Sequence, residues 1–175
     1  LHYEYVQFDD AAQLKWFKRA EELGHSEAGW RLAYHYRYNA RPPDHKAAFA
    51  LSRKWAERGN VWAMIELGDM LERGLGVSKD RVEAMKWYEK AARTGKVFTM
   101  EQLSRMLLED GKVSEAYVWA EVSSLRRKRV GPDKIKQSNP VDLAKRLSAK
   151  ELKQAKKRAI KLDKEIPYIE PWTNW

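Results

Sequence analysis

Histidine is the side chain most able to ligate a metal or move a proton at neutral pH, and this chain has four, His2, His25, His35 and His45. None stands in an HExxH spacing, and His25 and His45 fall at a predicted helix end and in a loop. There is no GxGxxG opening a helix after a strand, no GxxxxGK[ST] and no Gly-x-Ser-x-Gly elbow. Gly74-Leu75-Gly76 could cradle a phosphate, but a tight helix-to-helix turn calls for the same positive-φ glycines, and the surrounding pattern favours the turn. The acid pairs Asp9-Asp10 and Glu21-Glu22 lie at helix ends on solvated faces, where they do not form a glycosidase-like couple. The sequence has no cysteine, which excludes disulfides, thiolate catalysis and cysteine-ligated metal. The expectation is a non-enzyme with no catalytic residue, no metal site and no cofactor.

The elements that would carry any other function are helices. Ala63, Leu67, Met70 and Leu71 recur at helical spacing, Gly74-Leu75-Gly76 interrupts them, and Val82, Met85, Trp87, Tyr88, Ala91 and Ala92 begin a second periodic run. Asp80 is placed to N-cap that second helix, with Glu83 three residues on, and Gly95 to end it in a left-handed turn. Residues 60–95 therefore read as a helical hairpin. Gly24, Gly59 and Gly95 are 35 and 36 residues apart, and Leu32, Leu67 and Leu103 keep the same spacing, which is the period of stacked helix pairs.

Leu67-Gly68, Gly74-x-Gly76-Val77, Asp80, Ala84, Trp87-Tyr88, Ala91-Ala92 and Gly95 together resemble the signature of the Sel1-like repeat, a relative of the tetratricopeptide repeat. The resemblance covers about residues 9 to 125. It implies an all-α, right-handed superhelical solenoid of antiparallel helix pairs, with a partial repeat at 1–24 and repeats at 25–59, 60–95 and 96–125. The second unit departs from the pattern, since Arg41-Pro42-Pro43-Asp44 stands where the glycine turn should be. In the third, the loop is four residues shorter. Residues 126–175 are expected to form a basic C-terminal region: Ser148 and Glu151 make a capping box, and Leu152, Ala155, Ala159, Leu162 and Ile166 lie on one stripe of a capping helix. An apolar aromatic tail follows.

In such solenoids the first helix of each pair lines the concave face. Taking Ala33, Gly68 and Ser104 as equivalent, that face carries Glu27, Trp30, Tyr34, Arg37 and Tyr38, then Trp62, Ile65, Asp69, Glu72 and Arg73, then Phe98, Glu101 and Arg105. Aromatic residues and arginine dominate binding energy in protein interfaces, so a partner protein or peptide is expected there. Whether Trp30, Trp62 and Phe98 instead pack against the neighbouring repeat stays open.

Charge is concentrated near the end of the chain. Between Arg126 and Lys164, 15 Lys and Arg face 4 Asp and Glu, a local balance of +11, so the rest stands at −2 within the total of +9. Arg126, Arg127, Lys128, Arg129, Lys156 and Lys157 form the candidate basic patch. The competing reading is therefore a nucleic-acid-binding module, but no aromatic residue interleaves the lysines to stack on bases, and a solvated face is favoured. No run of about 18 apolar residues exists to span a membrane.

The expectation is a monomeric adaptor or scaffold. What the resemblance implies about setting is bacterial, in the periplasm or envelope, with the cytoplasm as alternative; some members of the family are immunity proteins against secreted toxins.

Overall fold

The computed structural model describes residues 10–130 and 140–167, in nine α-helices and one π-helical turn, with no strand among them. It divides into two compact units, 1–84 and 85–175. The expected N-terminal segment 1–8 and the aromatic tail lie outside the described residues, apart from Ile166 and Pro167.

The first unit contains α1 (Asp10–Glu22), α2 (Ser26–Tyr34), the π turn (His35–Asn39), α3 (His45–Glu57) and α4 (Val61–Arg73). The starts of α3 and α4 follow side-chain chemistry. Asp44 accepts a 2.9 Å hydrogen bond from the Ala47 amide and Asn60 one of the same length from Ala63, each satisfying an amide with no partner inside its helix. The end of α4 is set by Gly74, whose φ of 74° is a left-handed conformation that only glycine adopts cheaply.

α3 packs on both α2 and α4, and α1 packs on α2. The packing centres on Trp55, 2% exposed, whose indole Nε1 donates to Glu21 of α1 at 3.1 Å. α2 can approach this ring because residue 29 is glycine: a Cβ there would lie 1.8 Å from Trp55 Nε1. Gly29→Ala is therefore expected to lower stability by about 1–3 kcal/mol through overpacking, even though alanine is the better helix former by roughly 1 kcal/mol. Thermal and urea unfolding of the variant check this; unchanged stability would mean that the indole can move aside.

α5 (Arg81–Ala92) follows, its first turn capped by Asp80, which accepts from the Glu83 amide at 2.9 Å. The second unit holds α6 (Val97–Glu109), α7 (Val113–Val130), α8 (Pro140–Ala144) and α9 (Ala149–Glu165). α6 and α7 form a hairpin around buried Met100, Leu103, Met106, Ala116 and Val122, and the Ser104 hydroxyl donates to the Ala116 carbonyl at 2.8 Å. α8 and α9 pack against α7. The Ser148–Glu151 capping box forms with both of its bonds present. Ala155, Ala159 and Ile166 are buried as the stripe requires, with Leu152 and Leu162 half-buried. α7 continues five residues past the expected boundary at 125, so the basic run begins inside a packed helix.

Candidate functional site

On the first unit, α2 and α4 run side by side and bring four aromatic rings together. Trp30 and Tyr34 are one turn apart on α2 and meet edge to face, with centroids 6.2 Å apart. Trp62, on the first turn of α4, lies 5.8 Å from Trp30. Tyr38, on the π turn, lies 4.5 Å from Tyr34. Three of the rings remain open to solvent: Tyr34 is 42% exposed, Tyr38 41% and Trp62 41%. Trp30 is half-buried, its Nε1 donating to Glu27 at 2.6 Å. Trp30 and Trp62 thus pack against each other between neighbouring repeats, while Trp62 also stays at the surface.

Beneath the rings sits Arg37, expected on the solvent face and found 5% exposed. The reason is local. The chain leaves α-helical geometry at His35, the Ala40 amide donating to the His35 carbonyl five residues back at 2.9 Å. Such a wide turn redirects side chains and recurs at functional sites. Arg37 turns inward to Glu66 at 2.6 Å and to Asp69, and its guanidinium lies 4.6 Å from the Tyr38 ring centroid. Asp69 also accepts from Arg73 at 3.0 Å.

Burial works against the charge of Arg37, but hydrogen bonding to Asp69 and the Glu66 charge outweigh it and hold its pKa up. Burial raises the Glu66 pKa, outweighing the pull of Arg37. The sign follows from linkage: a carboxyl that holds its proton more tightly when folded contributes stability below its unfolded pKa, and that contribution is lost as pH rises through the raised value. Glu66 was not among the expected site residues. Its signal was its place three residues before Asp69 on the same helix face.

The other expected residues are distributed as follows. Glu27 is exposed and pairs with Arg31 at 2.8 Å; Ile65 is half-buried; Glu72 lies 3.7 Å from Arg81; Arg73 is exposed. In the second unit Phe98 is 55% exposed, and Arg105 bonds Gln102 and Glu109. Glu101, expected on a binding face, is instead 9% exposed and paired with Arg127 at 2.6 Å, with burial raising its pKa against the pull of that arginine.

The basic patch needs a larger correction. Arg126 is 3% exposed and committed to the interior: Nε donates to Asp163 Oδ1 at 3.0 Å, Nη1 to the Pro167 carbonyl at 2.9 Å, and Nη2 to the carbonyls of Asp163 and Ile166 at 3.1 and 2.6 Å. Arg127 is half-buried on Glu101. The side chains of Lys128 and Arg129 lie outside the described residues, and Lys156 and Lys157 are exposed on α9. Arg126 and Asp163 both fall on buried stripes, after Trp119 and Val122 on α7 and after Ala155 and Ala159 on α9, which is the sequence signal that locates them. Among the described residues, no group of three or more His, Asp or Glu could hold a metal ion, and no helix is long and apolar enough to cross a membrane.

The Sel1 repeat family model matches residues 14–25, 26–60 and 63–95. Residues 14–95 carry Sel1 repeats. The match ends where α6 begins, and the α6–α7 hairpin lies beyond it. Among solved structures, a protective antigen present in uropathogenic Escherichia coli strains, displaying an SLR fold, superposes with a TM-score of 0.74 at 26% identity. The superposition covers 87% of this chain, which spans 33% of that one. A Sel1 repeat protein from Oxalobacter formigenes has a TM-score of 0.61 at 22% identity, covering 73% of this chain and 98% of its own length. No curated protein sequence matches significantly. The Sel1-repeat chain is thus an all-α repeat solenoid, and proteins of this repeat family typically mediate protein–protein interaction on a generally non-catalytic scaffold.

Proposed function

We propose that this Sel1-repeat chain is a non-catalytic adaptor that holds a partner protein or peptide on the α2–α4 face of its first unit. One observation carries the reading: Trp30, Tyr34, Tyr38 and Trp62 form a contiguous aromatic surface of which three rings are about two-fifths exposed. Large rings with few torsions bury much area at little entropic cost, and their polar tips tolerate water when the site is empty. The Arg37, Glu66 and Asp69 cluster beneath them holds the π turn in place without presenting a strong net charge.

Tyr34→Ala and Trp62→Ala are each expected to weaken partner binding by about 1–4 kcal/mol; Trp62→Ala also lowers the unfolding temperature, because its ring packs on Trp30, so binding is compared at a temperature where both variants are folded. The check is affinity capture from the source cell with parent and variant proteins, then titration of the recovered partner. A partner that binds both variants as it binds the parent would remove this face from the proposal.

A finer reading is neutralisation of a secreted toxin in the periplasm or cell envelope. Its support is the small, repeat-built scaffold and the likeness to an antigen of a bacterial pathogen. Co-expression with toxins encoded beside its gene tests that role: failure to relieve toxicity sinks it. The competing nucleic-acid reading loses the start of its patch, because Arg126 is buried and Arg127 is held by Glu101.

A further inference from the structure

The outer surface of α9 is dominated by lysine. On other helices several arginines find a carboxylate one turn away, Arg19 with Glu22, Arg31 with Glu27, Arg73 with Asp69, Arg93 with Glu89 and Arg105 with Glu109. On α9, Lys150, Lys153, Lys157, Lys161 and Lys164 are exposed, and among the described residues only Lys161 of these five has a carboxylate within reach, Glu165 at 3.7 Å. Their steps of 3, 4, 4 and 3 follow the helical period, which places all five within an arc of about 80° and over roughly 20 Å of helix length. The opposite side carries buried Ala155, Ala159 and Asp163, and Arg126 binds the end of the helix through Asp163, Ile166 and Pro167. The lysine stripe is therefore held facing outward.

One side chain on this surface has no electrostatic purpose. Ile160 is 53% exposed, beside Lys157, Lys161 and Lys164. An aliphatic group among cations gains nothing against a phosphate backbone in water. At a bilayer it can enter below the headgroups while the long lysine stems spread toward their phosphates.

We propose that the outer face of α9 is a docking surface for an anionic phospholipid bilayer, with Lys150, Lys153, Lys157, Lys161 and Lys164 meeting the headgroups and Ile160 entering between them. The contact is peripheral and reversible. This site is separate from the aromatic face on α2 and α4, and neither reading depends on the other.

Sedimentation with vesicles of phosphatidylcholine containing about 30% phosphatidylserine tests it on the full chain, with pure phosphatidylcholine vesicles alongside. The parent is expected to bind the anionic vesicles and to ignore the neutral ones, with binding that fades as salt rises. Each Lys→Gln change in the stripe is expected to lower partition about fivefold, the equivalent of one charge near the surface. Ile160→Ser should weaken binding while leaving its salt dependence unchanged. Circular dichroism confirms that each variant retains its helix. Binding that survives replacement of all five lysines overturns the proposal, as does the absence of binding to anionic vesicles at low salt. A duplex DNA or RNA bound more tightly than the vesicles at the same salt also overturns it, assigning the stripe to nucleic acid.

Discussion

Arg126→Met should cost about 3–5 kcal/mol of stability, the range expected when one partner of a buried ion pair is removed. Its guanidinium reaches four oxygens on one segment, the Asp163 carboxylate and the carbonyls of Asp163, Ile166 and Pro167. These carbonyls lie at the end of α9, where no further amide of the helix can satisfy them. Arg126 thus ties α7 to the closing helix and completes its C-terminus. Without it, Asp163 remains 6% exposed and unneutralised by this arginine. Arg126→Lys should lose most of the same stability, because one ammonium cannot reproduce a planar fork that serves both sides at once. Denaturant unfolding measures the cost, and hydrogen exchange in α9 should accelerate before that of α6. If Arg126→Lys unfolds like the parent, the clamp rests on charge alone and the geometry is incidental.

The second large effect is expected at Arg37. Its replacement by methionine leaves Glu66 half-buried without its cation and withdraws the guanidinium from the Tyr38 ring. The cost is again about 3–5 kcal/mol near neutral pH. It should shrink in acid: burial already raises the Glu66 pKa, and removing Arg37 removes the main pull against that rise. Protonation then relieves the unpaired charge, so the deficit lessens as pH falls through the raised value and grows above it. Adding Glu66→Gln to Arg37→Met should recover part of the loss, and the double-mutant cycle gives the coupling. Unfolding curves at pH 5 and pH 8 decide between the alternatives. A deficit independent of pH would mean that Glu66 is not the group left stranded.

The pair also bears on binding. Tyr38 stands on the turn that Arg37 anchors, so loss of Arg37 should displace one ring of the aromatic surface while Trp62, on α4, stays close to its place. Partner binding by Arg37→Met, measured under conditions where the variant is folded, separates support of the surface from direct contact.

What the sequence determined by itself was local and periodic. The spacing of Gly24, Gly59 and Gly95 located three left-handed turns, with φ of 89°, 91° and 99°, because glycine adopts that backbone without the strain other residues incur. Asp80 and Ser148 were legible as caps because the amides they satisfy lie within three residues of each. The 3.6-residue period located the buried stripe of α9 for the same reason. What only the tertiary structure decided was the fate of individual charges. Arg37 meets carboxylates 29 and 32 residues away, and Arg126 meets Asp163 at a separation of 37. A charged residue read in its local window is assigned to solvent, since burying an ion is costly until a distant partner compensates. The π turn was hidden as well, because its wide hydrogen bonding, closed by the bond from Ala40 to His35, stabilises a geometry that turns Arg37 inward and leaves Tyr38 outside.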